Sequence, residues 1–394
     1  MIIGIVGKPN SGKSTFFKAL TLAEVAIANY PFTTIEKNEG VAYVKVHCVE
    51  KEFGVKCQPR FGFCIDGNRF IPVKIIDVAG LVPGAHAGKG RGNQFLDDLS
   101  EADVLIHVLD ASGRTDEEGK PTQNYDVTKD VSFLQEEIDL WLHAIVGKNW
   151  QRFARKVHGE QKKLSEELAK QLSGLKISEE VIIDSIKELN LSGNPIEWKE
   201  EDLLAFTRRV REKSKPIIIA ANKIDIADAE ENLEELRETF PVLPIFPCSA
   251  ESELALREAA KHGLINYIPG ESSFEIKKEL MEGQKKGLDF IQKNVLQKFK
   301  NTGVQQCIND AIFSILRMIV AYPVENETKL TDKDGRILPD AYLLQQNSNA
   351  FDLAEKVHTD IAKNFVAAID VRSKRRIARD YKLRNGDVVK IMTR

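Results

Sequence analysis

The sequence lacks any apolar run long enough to cross a bilayer. Its longest, AIFSILRMIVAY from Ala311, is about twelve residues and contains Arg317, against roughly twenty for a spanning helix. No charged n-region precedes the apolar strand that begins at Met1, so the expectation is a chain without a secretory signal, membrane-free and cytoplasmic. Cysteine is sparse, with five in 394 residues, an odd number that argues against a disulfide framework. Around His47, Cys48, Cys57 and Cys64 there is no CxxC spacing. These residues are therefore read as small buried or loop side chains, with a zinc site or a Cys57–Cys64 disulfide as alternatives. Charge of one sign is also missing. A net charge of -3 supplies no global attraction to nucleic acid, so any basic surface must be local.

What is present is 42% apolar and 29% charged residues, enough for two or three domains with sizeable cores. MIIGIV reads as a buried strand, GKPNSGKS (7–14) as a glycine-containing loop, and STFFKALTLAEV as a helix. Further apolar runs fall at 72–77, 104–110, 216–222 and 243–247. Their continuity, without alternation, predicts an α/β fold whose mainly parallel sheet is covered on both faces. Between Asp110 and Pro216 the connection is about a hundred residues, although a parallel crossover needs only a dozen or so. Leu134, Ile138, Trp141 and Ile145 recur at helical spacing there, as do Leu164, Leu168, Leu172 and Leu175, then Ile182, Ile186 and Leu189, then Leu203 and Val210. The expectation is an insertion of three or four helices, coiled-coil-like. The expected division is 1–114 with 213–270 for the sheet domain, 115–212 for the insertion, and 271–316 for a helical connector after a linker at 269–273. The last domain, 317–394, is expected to carry strands at 318–323, 365–371 and 388–392 around a helix at 350–364.

GKPNSGKS fits GxxxxGKS in a strand–loop–helix context. Amides from Asn10, Ser11 and Gly12 onward, with the helix start at Lys13, Ser14 and Thr15, form a nest for phosphates. Lys13 can reach the β and γ phosphates, and the Ser14 hydroxyl can ligate magnesium. The plainer reading is a glycine turn with a helix-capping serine. Asp77 and Gly80 make DxxG at a strand end, where the carboxylate can hold the magnesium shell and the Gly80 amide can sense the γ phosphate. Residues 222–225 read NKID. Asp225 there would accept from guanine N1–H and its exocyclic amine, donors that adenine does not present, while Asn222 and Lys223 brace the base and the loop. CSA at 248–250 would bring Ser249 and the Ala250 amide near the base. Four motifs in this order point to a GTP-hydrolysing switch that uses magnesium. Leu81, however, stands where many GTPases carry a glutamine that orients water.

NYPFTTIEKNEG (29–40), together with DVAGLVPGAHAGKGRGNQFLDDLSEADVLIHVLD, resembles the Obg and YchF group of translation-factor-class GTPases. The resemblance runs over nearly the whole chain. The helical insertion and a C-terminal TGS domain of β-grasp fold are most similar to the YchF branch. That resemblance implies switch I at Thr33 and Thr34, with Thr34 contacting magnesium and the γ phosphate; by themselves these residues read as strand entry. YchF relatives often carry an altered base motif and prefer ATP, so the intact NKID predicts GTP here and leaves an ATPase as the alternative. Leu81 resembles the hydrophobic substitution of the group. Asn10 matches the asparagine by which potassium-activated relatives hold the ion, and equally reads as a turn former. His86 lies in the glycine-rich stretch and reads as a solvated loop residue. The implied partners are GTP/GDP and a ribosome or other RNA, with a monomer favoured. VRSKRRIARDYKLRNGD gathers Arg372, Lys374, Arg375, Arg376, Arg379, Lys382 and Arg384, and Lys148, Arg152, Arg155 and Lys156 form a second basic group. Either could meet RNA phosphates or be a solvated face. A nucleotide-tuned RNA-binding module with negligible hydrolysis is the remaining alternative, kept open by Leu81.

Overall fold

The computed structural model describes residues 1–22, 38–78 and 92–394. Its first sheet contains β1 (Ile2–Val6), β2 (Glu39–His47), β3 (Phe63–Ile65), β4 (Asn68–Asp77), β5 (Val104–Asp110), β6 (Ile217–Asn222) and β7 (Ile245–Pro247). The order is β2-β4-β1-β5-β6-β7, with β3 added beside β4. From β4 to β7 the neighbours are parallel, whereas β2 and β3 run antiparallel to β4. Neither antiparallel strand was anticipated from sequence. β2 begins at Glu39, within the end of the stretch 29–40, and β3 has three residues, too few to show a period.

β5, VLIHVLD, is buried along its whole length because both faces of the sheet are covered. Leu105 and Leu109 face a core shared with the insertion, while Val104, Ile106 and Val108 join Phe16, Leu20, Ile308 and Ile312 on the other side. The insertion has five α-helices where three or four were expected: Thr128–Gly147, Trp150–Gly159, Leu164–Gln171, Glu179–Glu188 and Glu200–Ser214. Short helices separated by a few polar residues merge in a reading based on apolar spacing alone. The first and last run antiparallel, with His143 beside Glu200 and Gly147 beside Leu203 at one end and Asp139 paired with Arg211 at 2.7 Å. Their apolar stripes, including Ile138, Leu142, Leu203 and Phe206, belong to the same core as the sheet. The insertion is thus built onto the sheet.

Residues 269–273, expected as a linker, fall between two short antiparallel strands, Ile265–Tyr267 and Phe274–Ile276. Helices from Glu282 to Ile315, with π-helical turns at Gln292–Leu296 and Ala311–Ile315, lead to the second sheet. Its order is Tyr342–Gln345, Met318–Val324, Asp387–Thr393, Phe365–Asp370, Arg375–Ile377. Only the pairing of Met318–Val324 with Asp387–Thr393 is parallel. The single helix expected at 350–364 divides into Ala350–Val357 and Thr359–Lys363. His358 between them is extended, and its Nδ1 caps the second helix by accepting from the Asp360 amide at 3.1 Å.

Asp139 and Arg211 are both 4% exposed. Removing the carboxylate in Asp139→Ala leaves a buried guanidinium unpaired, with an expected loss of about 3–5 kcal/mol. A denaturant midpoint equal to that of the parent would show that the pair is not what holds the insertion.

Candidate functional site

The parallel register brings four strand ends to one edge: Ile5 lies opposite Asp77, Val6 opposite His107, and Asp110 opposite Asn222. A crevice at the carboxyl ends of such strands is where an open α/β sheet takes its ligand. The loop 7–14 rises from β1 and feeds the helix Lys13–Thr21. Two glycines are required by close approach. A Cβ on Gly7 would sit 2.3 Å from the Val108 carbonyl oxygen, and one on Gly12 would sit 2.2 Å from Asn222 Nδ2, at φ 91°. No side chain caps the helix start. Its first-turn amides remain available to an anion.

Lys13 Nζ forms an ion pair with Asp77. Ser14 is exposed on the first helical turn, Thr15 is half-buried behind it, and Ser11 is buried with a hydroxyl that has no hydrogen-bond partner among the described residues. Asn10 adopts φ 59°, and its Nδ2 donates to the Gly119 carbonyl at 2.9 Å, the role of a loop-fixing turn residue. Thr33, Thr34, Gly80, Leu81 and His86 lie outside the described residues.

The NKID segment, 222–225, is tied to this loop. Asn222 Nδ2 donates to Ser11 O at 2.9 Å while its Oδ1 accepts from the Ala250 amide at 3.0 Å. Lys223, at φ 65°, donates to Asn10 O and to Asp110 Oδ2, both at 2.8 Å. Asp225 is half-buried, and its carboxylate accepts no hydrogen bond among the described residues. The CSA segment is hydrogen-bonded within the protein. The Ala250 amide is taken by Asn222, and the buried Ser249 hydroxyl accepts from Ser252 N at 3.3 Å, capping helix Ala250–Lys261.

Several contributors were not found from sequence. Asp110 accepts from Lys223, from the Ser112 amide and hydroxyl, and from the Thr115 hydroxyl. Burial pushes its carboxyl up, but these donors and the lysine charge outweigh that and hold it below the usual range. Lys8 occupies a free position of GxxxxGKS, so no pattern marks it. It is 7% exposed, donates to Thr115 O at 2.8 Å, pairs with Asp130 at 2.8 Å, and lies 4.0 Å from the centre of the Tyr125 ring. Lys8, His107, Tyr125 and Asp130 line a small cavity behind the loop, about 80 Å³.

Burial, with the Lys8 charge in support, holds His107 down to about 3. An unfolded histidine titrates near 6.5, so the stability tied to neutral His107 is complete above that pH and is lost as pH falls toward 3. His107→Leu is expected to flatten the fall in denaturant midpoint between pH 7 and pH 4.5. Parallel profiles for the two proteins would reject this.

Comparison with known proteins agrees with this geometry. A family model described as 50S ribosome-binding GTPase matches residues 2–135, one described as Obg-like GTPase YGR210-like, G4 motif-containing domain matches 220–326, and a TGS domain model matches 329–393. The chain is 52% identical to an uncharacterized GTP-binding protein of Methanocaldococcus jannaschii, over all of this chain and 99% of that one. It is similar to the solved GTP binding protein from Pyrococcus horikoshii OT3, with 40% identity, full coverage of both chains and a TM-score of 0.79. It shares its fold with the YchF GTPase of Schizosaccharomyces pombe, with 19% identity, coverage of 100% and 97%, and a TM-score of 0.60.

Proposed function

This chain belongs to the Obg/YchF-type GTP-binding proteins with a C-terminal TGS domain, and we propose that it hydrolyses GTP to GDP and phosphate as a slow, magnesium-dependent switch. The observation that carries the reading is the junction at Asn222, which locks the phosphate loop to the segment bearing the half-buried, unengaged carboxylate of Asp225. Lys13 would exchange Asp77 for the β and γ phosphates. Asp77 and Ser14, hard oxygen donors beside that lysine, fit magnesium, and Thr34 would add a third. Magnesium would neutralise charge on the β and γ oxygens. The Gly80 amide would read the γ phosphate.

Leu81 cannot orient water, so turnover by the chain alone is slow. A potassium ion near Asn10 is the helper the residues suit. The bond to Gly119 fixes the Asn10 side chain through its nitrogen and leaves the oxygen as the donor a cation needs. The switch is further proposed to act in the cytoplasm on a ribosome or other RNA. Arg375 and Arg376 are exposed on the short strand Arg375–Ile377, and Arg152, Arg155 and Lys156 are exposed on helix Trp150–Gly159. Arg372 is committed elsewhere, to Glu52 at 2.6 and 2.7 Å, and Arg379 stacks 3.6 Å from the centre of the Phe351 ring. Among the described residues no helix is long and apolar enough to cross a membrane.

Lys13→Ala is expected to abolish hydrolysis, and Asp225→Ala to reduce the preference for GTP over ATP by about a hundredfold or more in paired titrations. Unchanged turnover in the first variant would remove the phosphate-loop assignment, and equal GTP and ATP affinities in the parent would point to an ATPase. Single-turnover hydrolysis with magnesium is expected to run faster in potassium than in sodium at equal ionic strength. Equal rates would discard the ion and leave a partner to supply what Leu81 lacks.

A further inference from the structure

The cysteines that carry no CxxC spacing are brought together by tertiary structure. β2 ends at His47, and the Cys48 amide donates to Gly67 O at 2.8 Å, which fixes Cys48 beside the turn of the hairpin between β3 and β4. A short helix, Glu50–Phe53, ends at Gly54 in the left-handed region (φ 64°), turning the chain back so that Cys57 returns beside Cys48. Cys64 on β3 pairs in register with Arg69 on β4. The ligand atoms of Cys48, Glu50, Cys57 and Cys64 all lie within 4.8 Å of one another.

We propose that Cys48, Glu50, Cys57 and Cys64 form a structural zinc site that fixes the segment on which the C-terminal domain docks. Zinc–sulfur bonds of about 2.3 Å set the sulfurs of a tetrahedral site about 3.8 Å apart, and a sulfur and a carboxylate oxygen about 3.5 Å apart. The Cys48 and Cys57 sulfurs are 3.7 Å apart, and Cys64 Sγ is 3.3 Å from Glu50 Oε1. The other carboxylate oxygen, Oε2, accepts from the Cys57 amide at 2.8 Å, so the group is oriented by a backbone donor and Oε1 is left to the metal. Three thiolates and one carboxylate are a soft, closed, four-ligand set, which selects zinc over magnesium or calcium and leaves no position for a substrate. Two thiols that merely pack look different here: Cys248 and Cys307 meet at 3.5 Å in an apolar core, and among the described residues no third donor joins them in a metal-binding group.

The surroundings suit the charge and the role. Three thiolates and a carboxylate around a divalent ion leave two negative charges, and the cationic Arg69, 1% exposed, stands opposite Cys64 in the register of β3 with β4. Arg69 also donates to Leu338 O at 3.0 Å and to Pro339 O at 2.7 Å, in the loop before strand Tyr342–Gln345 of the C-terminal sheet. The segment between the ligands carries further docking contacts, among them Gln58 N to Ile337 O at 2.8 Å, Arg60 N to Pro339 O at 2.9 Å, and Glu52 with Arg372. Binding would displace the thiol protons into solvent and involves no redox change.

The test uses the full chain produced with zinc in the medium. Elemental analysis after gel filtration is expected to give one zinc per chain, and the chelator-stripped protein is expected to take up one cobalt with the thiolate charge-transfer and visible bands of a tetrahedral sulfur-rich site. Glu50→Gln retains the acceptor for the Cys57 amide and should lower metal affinity about tenfold or more. Cys64→Ser should lose the metal, and Cys307→Ser should retain it. Stripping should make the C-terminal domain more susceptible to limited proteolysis. If the cysteine variant fails to fold, the parent's stoichiometry and cobalt spectrum decide the matter. Folded parent that binds neither metal, a Cys48–Cys57 disulfide in the isolated protein, or metal loss in Cys307→Ser equal to that in Cys64→Ser would overturn the proposal.

Discussion

One side-chain amide holds three loops in register. Asn222 donates to the Ser11 carbonyl and accepts from the Ala250 amide, joining positions 211 residues apart in the chain. Both bonds are buried, so losing either would leave a polar group unsatisfied in the interior. Gly12 has no Cβ because this amide occupies the space where one would lie. The shape of the phosphate loop and the position of the NKID segment are therefore one constraint. It can be met only because β1, β5 and β6 are adjacent parallel strands ending at the same edge.

Around that edge the chain places charge where it is compensated. Lys223 lies on Asp110, Lys8 on Asp130, and Lys13 on Asp77. The first two pairs are internal supports: Asp110 and Lys8 are nearly inaccessible, and each makes further hydrogen bonds that cover the desolvated charge. The third is accessible, and its two members are the groups that a nucleotide and its metal would engage. Asp130 stands on the first helix of the insertion, so the support under the phosphate loop comes partly from that insertion. The continuous core under the sheet makes the connection mechanical as well as electrostatic.

The C-terminal domain is joined to the first sheet by another polar device. Arg69 is buried and its guanidinium donates to two carbonyls of the neighbouring domain, and Tyr322 and Leu338 pack into the same apolar cluster as Cys48 and Cys57. A junction that is apolar at its centre and paired at its rim, as by Arg60 with Asp332 and Arg372 with Glu52, resists sliding better than a surface of exposed ion pairs would.

The sequence by itself determined the parallel sheet, because continuous apolar strands need cover on both faces. It also marked the phosphate loop and the NKID segment as candidates, because local spacing sets which residues follow each strand end. It announced an insertion through the length of one crossover. Three things were decided only by tertiary structure. The number and breaks of the inserted helices depend on where the sheet offers a surface, which apolar spacing does not encode. The duties of Lys8, Asp110 and Ala250 involve neighbours distant in sequence, Asp130, Lys223 and Asn222, which local spacing does not show. Cys48, Cys57 and Cys64 converge with Glu50 because a left-handed turn at Gly54 and the pairing of β3 with β4 bring them together, a proximity that linear spacing cannot express.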